Sequence, residues 1–181
     1  SYQPGAEIIV DNLNTTNELY AIWELKQYTV NYVAGANGRI DGNASQTVNY
    51  GGSTTEVTAV PDEGYRFVSW SDDNTNSKRH EKNVKADATY TASFVKRADL
   101  SYSVEYYYDG EIDNGKTGTF DNQTFGTEID SYEDKVIDGY VLEKVENLPL
   151  TIGTGSNVIK VYYVKRADLS YSVEYYYDGE I

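Results

Sequence analysis

Eighteen residues of this chain occur twice without a change. The string VKRADLSYSVEYYYDGEI runs from Val95 to Ile112 and again from Val164 to Ile181, an offset of 164 − 95 = 69 residues. Identity over that length is not chance, and a period of that size predicts an array of small domains. The second copy reaches the last residue, so the chain is expected to stop inside the next repeat. A unit of about 65 residues buries only ~60% of its extended-chain surface, which leaves little margin of stability.

The repeated string also predicts its own local structure. In Ser101–Tyr108, the residues Tyr102, Val104, Tyr106 and Tyr108 share one face, and Ser103, Glu105 and Tyr107 share the other. Alternation of this kind marks a strand in a sheet with one buried face. Asp113-Asn114-Gly115-Lys116 reads as a turn, with Thr117–Phe120 returning as the hairpin partner. In Val158–Tyr163, the residues Ile159, Val161 and Tyr163 alternate with Val158, Lys160 and Tyr162. A weaker kinship ties the first half to the second. Tyr28–Tyr32 matches Tyr102–Tyr106 in pattern, a Gly-Tyr pair follows at Gly64-Tyr65 and at Gly139-Tyr140, and each half closes on a β-rich strand, Ala88–Phe94 or Val158–Tyr163. No segment holds a helical apolar period over three turns; one short helix is expected near Asp130–Val136.

Composition removes most chemistry. The 181 residues include no Cys and no Met, one His, 15 Lys+Arg and 29 Asp+Glu, for a net charge of −14. Such a surface repels phosphate backbones and anionic headgroups, so neither nucleic acid nor membrane insertion is expected. Without Cys there are no disulfides, thiolate metal sites or cysteine nucleophiles. His80 lies in the polar stretch 72–82 and reads as an exposed loop histidine, so no catalytic residue is assigned and the chain reads as a non-enzyme. Acidic runs such as Asp109, Glu111 and Asp113 lack the ligand spacing of a calcium loop and read as ordinary turns, so no metal or cofactor is assigned. Acidity is uneven: residues 27–94 hold 8 acids and 6 bases, and residues 101–163 hold 12 acids and 4 bases.

Tyrosine is the conspicuous excess, with 19 residues against 2 Trp and 4 Phe. Tyr107, Tyr132 and Tyr162 are the candidate ligand contacts, because an outward tyrosine can stack on a sugar ring. For Tyr107, packing across strands is the competing reading and the favoured one. Trp23 and Trp70 read as core or seam residues.

On these motifs, residues 101–163 resemble a mucin-binding-protein (MucBP) repeat of Gram-positive surface adhesins. The residues that carry the likeness are Tyr102–Gly110, Gly126–Ile129, Asp138–Leu142 and Val158–Tyr163. Residues 27–94 resemble a divergent internalin B-type B-repeat through Tyr28–Val33, Ala59–Trp70 and Tyr90–Phe94. Residues 1–25 resemble the tail of a preceding internalin-like repeat, and residues 164–181 the first strand of the next MucBP-like repeat. The resemblance implies a mostly β, α+β class, built of tandem small β-grasp (ubiquitin-like) modules with little helix. It implies a cell-wall, extracellular location and weak, multivalent binding of host mucin glycans or glycoproteins, made effective by many copies on one stalk. The alternative is a passive spacer that presents a distal binding domain. Weak strand-mediated self-association is a third expectation, because the orphan strand at Leu169–Tyr177 offers unpaired backbone.

Overall fold

The structure is a computed structural model that describes residues 25–178. The expected tail at 1–25 therefore lies outside the described residues except for Leu25, and Trp23 lies there too. The chain forms two compact units: residues 25–60 with 67–93, and residues 61–66 with 94–178.

The first unit is built on β1 (Gln27–Ala34), β2 (Gly38–Asp41), β3 (Ser45–Asn49), β4 (Val57–Pro61), β5 (Tyr65–Trp70), β6 (Lys78–Arg79) and β7 (Ala88–Lys96). Its main sheet has the order β3-β1-β7-β5, and β2-β4-β6 form a second small sheet. At the centre β1 and β7 run parallel, from Val30 opposite Ala88 to Ala34 opposite Ala92, and β3 lies antiparallel on the outer edge of β1. Alternate residues of these strands point inward, so Val30, Tyr32, Val57, Ala59, Trp70 and Ala92 make the core. A turn precedes β2 and a bend follows it. Asn37 and Gly42 both take positive φ, which a short polar side chain or a missing Cβ tolerates.

The second unit contains β8 (Leu100–Tyr108), β9 (Glu111–Ile112), β10 (Gly118–Gln123), β11 (Glu128–Ile129), β12 (Tyr140–Glu146), β13 (Leu150–Thr151) and β14 (Val158–Lys165). Its sheet has the order β10-β8-β14-β12, again with a parallel central pair, Val158 opposite Ser103 through Tyr163 opposite Tyr108. Both units thus set their first and last strands side by side and their middle strands at the edges. The inward faces of β8 and β14 follow the expected alternation: Val104, Tyr106, Ile159, Val161 and Tyr163 form a buried cluster. The turn at Asp113–Lys116 is present, between β9 and β10, which both pair with β8. Lys116 N–H donates to the Asp113 carbonyl and Gly115 N–H to the Asp113 side chain. A tighter turn precedes it, at Asp109-Gly110. Both residues take positive φ, the signature of a two-residue hairpin turn joining β8 to β9.

Two expectations are corrected. The α+β class becomes all-β, since no helix occurs among the described residues. The short helix expected near Asp130–Val136 is an irregular strap instead. The physical reason is competition for its backbone groups. Tyr106 Oη donates to the Glu133 carbonyl, Tyr108 Oη donates to the Lys135 carbonyl at 2.5 Å, and Lys135 N–H donates to Tyr163 Oη at 3.1 Å. A helix would spend those groups on its own ladder. Here three tyrosines of the sheet take them.

The second copy of the repeated string behaves differently from the first. Residues 166–178 contain no strand, and Leu169, Tyr171, Val173, Tyr175, Tyr176 and Tyr177 are exposed.

Candidate functional site

The outward face of the second unit's main sheet carries a constellation of polar and aromatic side chains. It follows from register. Glu105 and Tyr107 alternate with the core residues of β8, Lys160 and Tyr162 do the same on β14, and the parallel pairing sets Glu105 beside Lys160 and Tyr107 beside Tyr162. On the far side of β14, β12 places Lys144 opposite Tyr162 and Glu146 opposite Lys160. The result is a grid in which acids, bases and rings alternate. The Tyr107 and Tyr162 rings stack at 4.8 Å between centroids with 19° between planes. Tyr107 Oη donates to Glu105 Oε2 at 2.6 Å, and Tyr162 Oη donates to Glu146 Oε2 at 3.1 Å. Lys144 Nζ lies 4.5 Å from the Tyr162 ring centroid and also binds Glu146 Oε1 at 2.7 Å.

Electrostatics follow from these partners. The Glu105 carboxylate beside it, with some desolvation, pushes the Tyr107 phenol up to about 12. Desolvation and then the Glu146 bond raise Tyr162 as well. Glu146 is held below the usual carboxylate range by Lys144 and the Tyr162 hydroxyl. Both phenols are therefore protonated donors at neutral pH.

Of the three tyrosines singled out in the sequence, the structure brings two together. Tyr107 and Tyr162 share the outward grid. Tyr132 sits on the strap, half-buried against the inward cluster. The stacking of Tyr107 across strands agrees with the reading favoured for it. Beside the grid runs a groove of about 640 Å³, with Glu105, Lys160, Asn147, Thr151 and Ser156 among its lining and Leu150 and Pro149 on its wall. Its oxygens and amides offer hydrogen bonds to a polar ligand.

The acids weighed as cation ligands have other partners. Asp109 accepts from Tyr140 Oη at 3.0 Å and pairs with Lys165 Nζ at 3.0 Å, and Asp113 pairs with Lys116 at 2.7 Å. Among the described residues no three His, Asp or Glu side chains gather into a possible metal site. His80 is exposed, as expected, at the rim of a shallow groove that also holds Asp72 and Glu81.

Those two carboxylates belong to a network that sequence reasoning missed. Arg79 is buried, with its side chain 4% exposed. It makes a two-pronged contact with Asp72, Nη1 to Oδ1 at 3.0 Å and Nη2 to Oδ2 at 3.1 Å, and it donates from Nε to Glu81 Oε1 at 2.9 Å. Its guanidinium lies 3.6 Å from the Tyr90 ring centroid and 5.0 Å from that of Trp70. The Arg79 bonds hold Asp72 below the usual carboxylate range. Arg79 stands in the run Lys78-Arg79-His80, where an arginine bound for the core has the same one-dimensional surroundings as a solvated one. The nearest available signal was the pair of aromatic residues, Trp70 and Tyr90, placed at either side of that run.

Comparison with known proteins adds the following. No curated protein matches the chain. Among solved structures, it is similar to Streptococcal High Identity Repeats in Tandem (SHIRT) domains 3-4 from a cell surface protein, at 16% identity and a TM-score of 0.31, covering 77% of this chain and 98% of that one. Residues 28–98 match the family model of the divergent InlB B-repeat domain, so the internalin-type resemblance of the first unit rests on a match of nearly the same span.

Proposed function

We propose that the chain is a non-enzymatic repeat segment of a bacterial cell-surface protein of the adhesin type, and that its units are spacer modules that hold a binding region away from the cell wall. We read each unit as a grasp-like module in which irregular chain replaces the helix, and the second unit as the MucBP-like member of the pair. The observation that carries the spacer reading is where the tyrosine hydroxyls go. Tyr32, Tyr106, Tyr107, Tyr108, Tyr140, Tyr162 and Tyr163 each bond to a group of their own unit. Aromatic residues that are used as internal braces are not free as ligand platforms. Braces of this kind suit a small domain without disulfides that must stay folded on an exposed stalk.

The groove beside Tyr107 and Tyr162 favours a second reading, weak binding of mucin-type glycans through its polar lining and multiplied by repeat number. One experiment separates the two. Tandem copies of the chain are passed over purified mucins and host glycoproteins, with and without calcium. The spacer reading expects no retention beyond a control protein of equal charge. Saturable retention that disappears in Lys160→Ala or Thr151→Ala would overturn it in favour of the glycan reading.

A further inference from the structure

We propose that Tyr107 and Tyr162 are a site of oxidative modification: a peroxide, acting through a haem-type one-electron oxidant, couples their rings into a dityrosine that ties the two central strands of the second unit together covalently. The proposal holds for either reading of function. Its basis is geometric. The two residues are register partners on parallel strands, their rings stack at 4.8 Å with 19° between planes, and both side chains lie on the outward face, half-exposed. With the sheet in place, coupling asks only that the two rings turn about their side-chain bonds from face-to-face to edge-to-edge, an advantage of proximity that loose surface tyrosines lack.

The hydrogen bonds supply the proton path. Oxidation of a phenol to a neutral radical releases one electron and one proton. Tyr107 Oη already donates to Glu105 Oε2, and Tyr162 Oη to Glu146 Oε2, so each proton has a carboxylate to receive it. The Lys144 ammonium 4.5 Å from the Tyr162 ring disfavours a transient ring cation, which requires the proton to leave with the electron. The two radicals join through one new C–C bond between ring carbons ortho to the oxygens. The two hydrogens on those carbons are lost as protons, and the phenol oxygens regain theirs. In sum, two ring C–H bonds break, one C–C bond forms, two electrons pass to hydrogen peroxide, and two waters result.

Composition directs the oxidant to tyrosine. The chain has neither Cys nor Met, the side chains that peroxides ordinarily consume first. A second stacked pair gives an internal control. Tyr108 and Tyr163 are also register partners, at 5.1 Å and 12°, but Tyr163 is 1% exposed and its hydroxyl is bound to Asp134 and to Lys135 N–H. That pair is stacked and out of an oxidant's reach.

The test treats the full chain, dilute, with hydrogen peroxide and a haem peroxidase. It reads blue dityrosine fluorescence, intact mass, and the positions of cross-linked peptides. The expected result is a monomer lighter by two hydrogen atoms, with the link mapped to Tyr107 and Tyr162 and with Tyr108 and Tyr163 unmodified. Tyr107→Phe and Tyr162→Phe keep the rings and the packing, and each abolishes that link. Recovery of Tyr107 and Tyr162 unlinked, whether coupling falls on the exposed Tyr171 and Tyr175–Tyr177 or does not occur, overturns the proposal.

Discussion

The two units solve the same problem with different chemistry. Each sets a parallel central pair of strands between antiparallel or edge neighbours, and each must hold the connection between those strands against the sheet without a disulfide or, among the described residues, a helix. The first unit does so with charge. Arg79 is buried among Tyr32, Trp70 and Tyr90, and its guanidinium is held by Asp72 and Glu81 from loop positions on either side. The second unit uses neutral donors. Tyr106, Tyr108 and Tyr163 reach out of the sheet and bind the backbone and side chains of the strap at 133–135. The difference shows that the connection between the central strands can be held against the sheet either by an ion pair roofed with aromatic rings or by a row of phenols. The choice sets which solution conditions threaten each unit.

The largest expected effect is on the charged unit. Arg79→Ala removes the buried cation from its acids and its three rings, and breaking a buried pair of this kind costs about 3–5 kcal/mol. Asp72 and Glu81 keep part of their water, with side chains 42% and 22% exposed, which places the loss at the lower end of that range. Chemical denaturation followed by Trp70 fluorescence, in a Trp23→Phe background, measures it; equal destabilisation of the second unit would break the comparison. Next in size is Tyr163→Phe. It leaves Lys135 N–H without its acceptor and Asp134 without its donor, and an unsatisfied partly buried group of this sort costs ~1–3 kcal/mol. The loss should appear in the tyrosine and backbone dichroism signals of the second unit and leave the Trp70 transition in place.

The response to pH sharpens the contrast. Tyr106 is pushed up to about 12 from 10.0 by burial, with nearby Glu133 adding to it. The folded second unit holds this proton more tightly than the unfolded chain does. Its contribution is therefore whole below pH 10 and is lost as pH rises from there through about 12. Asp72 moves the other way. The folded first unit holds its proton less tightly, so the contribution is present above 3.8 and disappears as pH falls below it. Asp109, Asp113 and Glu146 of the second unit are also held below the usual carboxylate range by their partners, so both units weaken in acid and the contrast lies in alkali. Unfolding curves above pH 10 should show the second unit weakening first; the first unit failing first there would sink the account. The smallest effect is expected from Glu105→Gln, which removes only the acceptor charge beside Tyr107 on a solvated face. It should leave both transitions nearly unmoved, while lowering the alkaline titration of Tyr107 toward that of an ordinary phenol in difference absorbance.

Much of this was legible in the residues. The inward and outward faces of β8 and β14 follow from alternation alone, because side chains on a strand must point to opposite sides. The turn at Asp113–Lys116 follows from Asn and Gly. The outward position of Tyr107 was readable from alternation, and its stacking on Tyr162 follows from the register that only the fold supplies. The strap at 130–136 carries no strong local preference against a helix, and the hydroxyls that claim its backbone lie about 27 positions away in sequence, so its irregular path is not legible locally. Arg79 was passed over for a related reason: nothing near it in sequence distinguishes a buried guanidinium from a solvated one.

The repeated string draws the line between the two kinds of knowledge most clearly. Its letters fixed the alternation, the turn-forming Asp-Gly and the absence of sulfur chemistry in both copies. They did not decide whether a strand exists. Leu100–Tyr108 is the central β8, whereas the same residues at 169–177 contain no strand and lie exposed. A strand's hydrogen bonds are made to other strands, and those that order Leu100–Tyr108 come from β10 and β14, so neighbours rather than its own letters supply the free energy that orders β8.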